Sequence, residues 1–138
     1  MICYNSPKGG GKVHKILIVE DEQKLRKIMR EQLAEGDFEI IEAEDADEAI
    51  KIIQEQSKQI DLIILDLLLK EISGAYIFDY LKKNHPTIKV IISSIFDKSE
   101  QQFFVDRADD YYCKMDDFAE LKYKVKSLLL ETDNLSVR

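Results

Sequence analysis

Short apolar runs alternate along the chain with stretches whose apolar residues recur at helical spacing. The runs are continuous, rich in β-branched residues and only a few residues long, which is typical of strands buried on both faces of a sheet. The five predicted strands cover residues 16–19, 38–43, 62–65, 90–93 and 111–113.

A helical segment is predicted after each strand, because apolar residues there repeat every three or four positions. The third segment should end at the Asn84-His85-Pro86 breaker. Strict alternation of strand and helix predicts an α/β fold with a doubly wound parallel sheet, covered by helices on both faces and joined by right-handed crossovers. The predicted helical segments are 22–35, a stretch from Ala46, another from Gly74, a weaker one at 99–105 and a last one at 117–130.

The two ends of the chain differ in composition from its middle. Residues 1–14 contain Pro7 and three successive glycines without an apolar period, and they predict a flexible leader that includes His14. Residues 15–131 predict one globular domain, and residues 132–138 a polar tail that frays. The Gly-Gly-Gly-Lys run is no phosphate loop, because the Ser or Thr that should follow the lysine is absent and the glycines precede a strand.

Composition narrows the class of protein. The 138 residues are 45% hydrophobic and 34% charged, as in a globular domain, and no apolar run is long enough to cross a bilayer. The formal net charge of −7 argues against direct nucleic-acid binding. No signal-peptide core is visible, and the two cysteines form no CxxC, so we expect a reducing cytoplasm and no contact with membranes.

Polar residues follow four of the predicted strands directly. Glu20 and Asp21 follow the first, Asp66 the third, Ser94 the fourth and Lys114 the fifth. Because the carboxyl ends of parallel strands meet at one edge, where ligands bind in such sheets, we expect these side chains to converge. The carboxylates should repel each other unless a cation lies among them, and oxygen ligands of this kind suit Mg²⁺. One carboxylate could then attack a phosphoryl donor, with Lys114 and Ser94 meeting the negative charge.

These motifs resemble the receiver domains of bacterial two-component response regulators. The resemblance covers residues 15–130 and implies a flavodoxin-like sheet of five strands in the order 2-1-3-4-5 with five helices. The matching pieces are ILIVEDE at 16–22, DLIILDLLL at 61–69 with Gly74 after it, VIISSI at 90–95 and ADDYYCK at 108–114.

The resemblance also implies a role for each site residue. Asp66 would be the phosphoacceptor, and Mg²⁺ would be bound by Asp21 directly, by Glu20 through water, by Asp66 and by the backbone carbonyl of Leu68. The remaining roles concern switching. Ser94 corresponds to the hydroxyl that turns toward the phosphoryl group, Tyr111 to the aromatic residue that reports the turn, and Lys114 to the lysine that contacts the phosphoryl oxygens.

By the same resemblance, the chain is a signalling domain rather than an enzyme acting on a free substrate. Its expected partners are a sensor histidine kinase or phosphotransfer protein upstream, and an effector or output domain downstream. Phosphorylation would shift the packing of the face formed by the fourth helix, fifth strand and fifth helix. The outer surface of the last helix could join a dimer contact, although no motif specifies one.

Several positions depart from the family pattern. Lys70 and Met115 stand where prolines are usual, Arg107 stands where glycine is common, and the short segment between Ser94 and Tyr111 predicts a truncated fourth helix. These departures leave open a degenerate receiver that acts as a phosphorylation-independent interaction module.

Other interpretations of single residues stay open. A magnesium-dependent phosphohydrolase is the weakest alternative, because two leucines follow Asp66 where an Asp-x-Asp pattern would be expected. Taken alone, Lys114 could be a surface lysine, Ser94 a turn former and Tyr111 ordinary sheet packing.

Overall fold

The computed structural model describes residues 13–137, so residues 1–12 of the predicted leader lie outside the described part. Strands and helices alternate throughout this range. The strands are β1 Lys15–Val19, β2 Glu39–Ala43, β3 Leu62–Asp66, β4 Lys89–Ser94 and β5 Asp110–Cys113. The helices are α1 Gln23–Ala34, α2 Ala46–Gln56, α3 Gly74–Asn84, α4 Lys98–Phe104 and α5 Phe118–Val137.

The strands form one parallel sheet in the order β2-β1-β3-β4-β5. This arrangement confirms the predicted doubly wound fold. The strand order reverses between β1 and β3, and the carboxyl ends of these two strands therefore border the crevice where open α/β sheets bind their ligands. In the described range, no helix combines the length and the apolar character needed to cross a membrane.

The central strands β1 and β3 are buried along their whole length, which explains their continuous apolar runs. Alternate side chains point to opposite faces of the sheet. Leu17 and Val19 join a core cluster with residues of α2 and α3, whereas Ile16 and Ile18 join one with residues of α1 and α5. Each fully buried aliphatic side chain stabilises the fold by about 1.5–3 kcal/mol, so these two layers hold the sheet rigid beneath its edge.

The structure differs from the sequence prediction at both ends of the domain. His14, assigned to the flexible leader, is buried, and its carbonyl oxygen accepts a hydrogen bond of 2.9 Å from the Glu39 N–H. The ladder between β1 and β2 therefore extends past the predicted boundary. At the other end α5 continues to Val137, past the predicted boundary at residue 131, and no glycine or proline interrupts the chain there.

The loop between β3 and α3 folds back tightly onto Asp66. The Gly74 N–H donates to the Leu67 carbonyl oxygen at 2.8 Å, and Leu68 and Ser73 form an isolated antiparallel bridge. The Ser73 hydroxyl caps α3 by accepting from the Ala75 N–H at 3.1 Å. These contacts bring Gly74 so close to the strand end that a Cβ atom there would overlap the Asp66 carbonyl oxygen and lie 2.9 Å from the Leu67 Cα.

We expect Gly74→Ala to destabilise the domain and to disturb Asp66, because the new methyl group meets backbone atoms that cannot rotate away. The loss should be about 3 kcal/mol, at the upper end for an overpacked site. Denaturant unfolding measures it. Gly36→Ala is the matched control, since its Cβ would meet the Phe38 ring at 2.7 Å, and a side chain can shift more easily than backbone. Equal losses in the two variants would contradict the assigned role of Gly74.

Candidate functional site

Three carboxylates meet at the carboxyl edge of the sheet. Glu20 and Asp21 follow the last residue of β1, and Asp66 is the last residue of β3. One ligand atom from each of the three lies within 4.8 Å of the others. Glu20 and Asp66 are buried, with exposures of 1% and 2%, while Asp21 is half-buried. The sheet therefore brings together the carboxylates that were predicted to converge.

Lys114 reaches the same point from the end of β5. Its Nζ lies 2.7 Å from Glu20 Oε1 and 3.1 Å from Asp66 Oδ2. Its position is set by the sheet, because the Lys114 N–H donates to the Ser94 carbonyl oxygen at 2.7 Å. One ammonium group faces three carboxylates, so the cluster has an excess of negative charge when all of them are ionised.

The pKa values of the two buried carboxylates reflect mainly their burial. Burial raises the pKa of Glu20 to about 7, although the hydrogen bond from Lys114 opposes the shift, and the charge of Asp66 adds to it. Burial also raises the pKa of Asp66, against the opposing charge of Lys114. For Lys114, burial lowers the pKa, but the hydrogen bond to Glu20 and the charge of Asp66 outweigh burial, so the net pKa is raised. The carboxylates thus bear an electrostatic cost that a cation would relieve.

The donor set suits a hard divalent cation. All three ligand groups are carboxylate oxygens, which Mg²⁺ prefers, and two of them are withdrawn from water. Backbone contacts orient the Asp66 carboxylate, because its Oδ1 accepts a hydrogen bond of 3.0 Å from the Leu68 N–H. The role of the Leu68 carbonyl oxygen as a metal ligand remains a prediction.

An open cleft lies beside the carboxylate cluster, and Asp21 is the member of the cluster that lines it. Its volume is about 290 Å³, and Lys70 is exposed along it. Asp66 does not line this cleft and is shielded from bulk water. The lining residues are Asp21, Glu44, Asp45, Ala46, Leu69, Lys70 and Glu71.

The predicted switch residues are both buried, and each has defined partners. The Ser94 Oγ accepts a hydrogen bond of 3.3 Å from the Phe96 N–H, in a short turn after β4. The Tyr111 hydroxyl donates to the Val105 carbonyl oxygen at 2.7 Å and accepts from the Ala108 N–H at 3.1 Å. Tyr111 therefore points inward and ties β5 to the end of α4.

The departures from the family pattern fall on loops, those at Lys70 and Met115 at the carboxyl edge of the sheet and that at Arg107 before β5 at the opposite edge. Arg107 has a φ of 65°, a left-handed conformation that favours glycine, which gives a physical reason why glycine is common there. Met115 is 81% exposed, and Lys70 is exposed too. The predicted truncation of the fourth helix is confirmed, because α4 has only seven residues.

Two supporting residues escape the sequence analysis. Arg26 donates to the Glu20 carbonyl oxygen at 2.7 Å and to Glu42 Oε1 at 3.3 Å, which fixes the acidic loop to α1 and β2. Gln101 is fully buried and hydrogen-bonds two backbone carbonyls. Its spacing of four residues before the buried Val105 indicates an inward helix face, but polar residues are ordinarily assigned to the surface.

Comparison with known proteins agrees with this architecture. The family model of the response regulator receiver domain matches residues 16–126. The transcriptional regulatory protein SrrA of Staphylococcus aureus is 30% identical over 125 residues, which are 90% of this chain and 51% of SrrA. The chain thus spans about half the length of that regulator.

Solved structures give the same result. The response regulator protein TrrA of Thermotoga maritima, solved in complex with Mg²⁺-BeF, is 35% identical, with a TM-score of 0.76 over 85% of this chain and 100% of that one. A response regulator receiver domain protein from Clostridium thermocellum shares the fold, with a TM-score of 0.80 and 23% identity over 89% of this chain and 99% of that one.

We expect Mg²⁺ affinity to rise with pH, because Glu20, whose pKa is raised to about 7, holds a proton below that pH and the proton competes with the cation. For one competing proton the gain should be about tenfold between pH 6 and pH 8. Calorimetric Mg²⁺ titrations measure it.

The control is Glu20→Gln, which has no proton to lose and should flatten the pH dependence. A wild-type affinity that stays constant across this range, or a Gln variant that keeps the full dependence, would contradict the assignment.

Proposed function

Because this chain belongs to the response regulator receiver domain family, we propose that Asp66 accepts a phosphoryl group and that the modified domain presents an altered surface to a partner. The donor would be the phosphohistidine of a sensor kinase or phosphotransfer protein, or a small phosphodonor. The observation that carries the proposal is the position of the buried Asp66 carboxylate, 3.1 Å from Lys114 and within 4.8 Å of the Glu20 and Asp21 ligand atoms.

The residues of the cluster divide the chemistry among them. A carboxylate oxygen of Asp66 attacks phosphorus, a bond forms between oxygen and phosphorus, and the bond from phosphorus to the donor breaks with its electron pair leaving on the donor. Lys114 pairs with the negative charge on the phosphoryl oxygens. The Leu68 N–H, 3.0 Å from Asp66 Oδ1, holds the carboxylate in one orientation during the attack.

Mg²⁺ would be held by Asp21 and Asp66, with Glu20 contributing through water and Leu68 through its carbonyl. When bound, the cation neutralises charge on both the carboxylates and the incoming phosphoryl group. In the described part of the chain three carboxylates lie close together while Lys114 contacts two of them, and this excess of acidic groups supports a site that requires such a cation.

The output of the domain would be a change on the face formed by α4, β5 and α5. Ser94 would turn toward the phosphoryl group and Tyr111 would respond. The exposed rings of Phe103 and Phe104 on α4 offer apolar contact area on this face. The partner would be an effector or an output domain, and the cytoplasmic location stays a prediction.

We expect Asp66→Asn to abolish phosphorylation, because an amide cannot form the acyl phosphate. Wild-type protein incubated with Mg²⁺ and acetyl phosphate should gain the mass of one phosphoryl group, measured by intact-protein mass spectrometry. Asp79→Asn is the matched control, since Asp79 is an exposed carboxylate on α3 and should leave the reaction unchanged. A wild-type protein that remains unmodified at saturating donor would contradict the proposal and favour a phosphorylation-independent interaction module.

A second expectation concerns the lifetime of the phosphorylated form. In the family, the residues two positions after the phosphoacceptor and after the switch hydroxyl influence attack by water, and here they are the apolar Leu68 and Phe96. Neither side chain can orient a water molecule, so self-dephosphorylation should be slow. Leu68 is 51% exposed, so a polar group there can reach solvent. Leu68→Asn should speed the decay severalfold in a phosphate-release assay, and an unchanged or slower decay would show the reasoning to be wrong.

A further inference from the structure

Gln101 is a polar side chain enclosed in the protein with no solvent exposure. Its Nε2 donates to the Phe96 carbonyl oxygen at 2.8 Å and to the Tyr112 carbonyl oxygen at 2.9 Å. One amide group therefore links the loop after β4 to the edge strand β5, on the side of the sheet covered by α4.

The Phe96 peptide is held from both directions. Its N–H donates to the Ser94 Oγ at 3.3 Å, and its carbonyl oxygen accepts from Gln101. The hydroxyl that is to turn toward the phosphoryl group is thus engaged by a residue that Gln101 restrains. When Ser94 turns away it gives up this bond, and the bond from Gln101 holds the Phe96 peptide in the place where the Ser94 bond is made.

The second bond of Gln101 extends this restraint to the site lysine. Tyr112 lies two residues before Lys114, in the last strand of the sheet. An edge strand has no neighbour on its outer side, so a side-chain donor can take the place of one. Gln101 consequently connects the backbone that bears Ser94 to the backbone that bears Lys114.

The side chain of Gln101 makes its two hydrogen bonds through its N–H groups, and its burial also carries a cost. Within the described residues, its Oε1 is buried without a hydrogen-bond partner, which is unfavourable for folding. An apolar side chain of the same length would avoid this cost. The backbone around it is well formed, because Asp97 and Glu100 make a capping box at the start of α4 and the Gln101 N–H donates to the Asp97 carbonyl oxygen at 2.9 Å.

We propose that Gln101 is a positioning residue that latches the unphosphorylated conformation, through its bonds to the Phe96 and Tyr112 carbonyls. This inference rests on the proposed phosphorylation of Asp66. Because the latch stabilises the conformation in which Ser94 is held by Phe96, it lowers the population of the conformation competent for the phosphoryl group. Apparent affinity for a phosphoryl mimic falls with that population.

The test compares beryllofluoride binding, in the presence of Mg²⁺, between the wild type and Gln101→Met. Methionine keeps the length of the side chain and removes the donors. We expect the variant to bind beryllofluoride about threefold to tenfold more tightly, which corresponds to the two latch bonds together favouring the resting state by about the net value of one neutral hydrogen bond. Mg²⁺ affinity without beryllofluoride should stay within about twofold, because the latch does not touch the carboxylates.

Gln102→Met is the matched control, since Gln102 is the exposed neighbour on the same helix, and its affinity should equal that of the wild type. The proposed latch is rejected if the affinity of Gln101→Met for beryllofluoride exceeds that of the wild type by less than threefold, equals it or falls below it. Failure of the wild type itself to bind beryllofluoride rejects the proposed function instead, so the two failures are distinguishable.

A measurement on the unaltered protein covers the case in which the Met variant does not fold. The side-chain amide resonances of Gln101 should show slow hydrogen exchange in the free protein and lose that protection when beryllofluoride binds with Mg²⁺. Protection that is equal in both states overturns the proposal, because a latch must open when the switch moves.

Discussion

Burial of carboxylates that are fixed in position is the constraint on which this site depends. Glu20, Asp21 and Asp66 are fixed by adjacent parallel strands, and among the described residues Lys114 supplies the compensating charge in direct contact with Glu20 and Asp66. Burial favours protonation of Glu20 and Asp66, whereas metal binding and nucleophilic attack need the ionised forms. A cation would therefore stabilise the site most when a phosphoryl group arrives, because the phosphoryl group adds negative charge that the cation offsets.

Backbone hydrogen bonds connect the site to the rest of the sheet. The Leu67 N–H donates to the Ser93 carbonyl oxygen at 2.9 Å, and the Lys114 N–H donates to the Ser94 carbonyl oxygen at 2.7 Å. The ends of β3, β4 and β5 thus form one hydrogen-bonded row. Charge placed on Asp66 cannot reorganise its own strand, which is packed on both faces, so the loops after the strands are the parts free to respond.

Sequence patterns predict the rigid parts of this molecule well because burial on both faces leaves a continuous β-branched run. They also predict which polar residues meet, since Asp66 and Lys114 each follow such a run directly. They fail where a polar side chain is buried for its hydrogen bonds. Gln101 is a polar residue with polar neighbours, so the pattern would assign it to the surface. His14 is a polar residue near a glycine-rich segment, so the pattern assigns it to the leader. Only their tertiary contacts reveal that both side chains are buried.

The shortest helix of the described residues belongs to the face expected to switch. Helix α4 has seven residues, fewer than the 12 to 15 or so that an isolated helix needs to be even marginally stable in water. It is followed by Arg107 in a left-handed conformation, which costs about 1–2 kcal/mol for a residue with a Cβ. Its first Phe, Phe103, is 85% exposed and adds little to the core. Since so little intrinsic stability holds α4, its position must depend on a few tertiary bonds, and an element held in this way can change its packing at small cost.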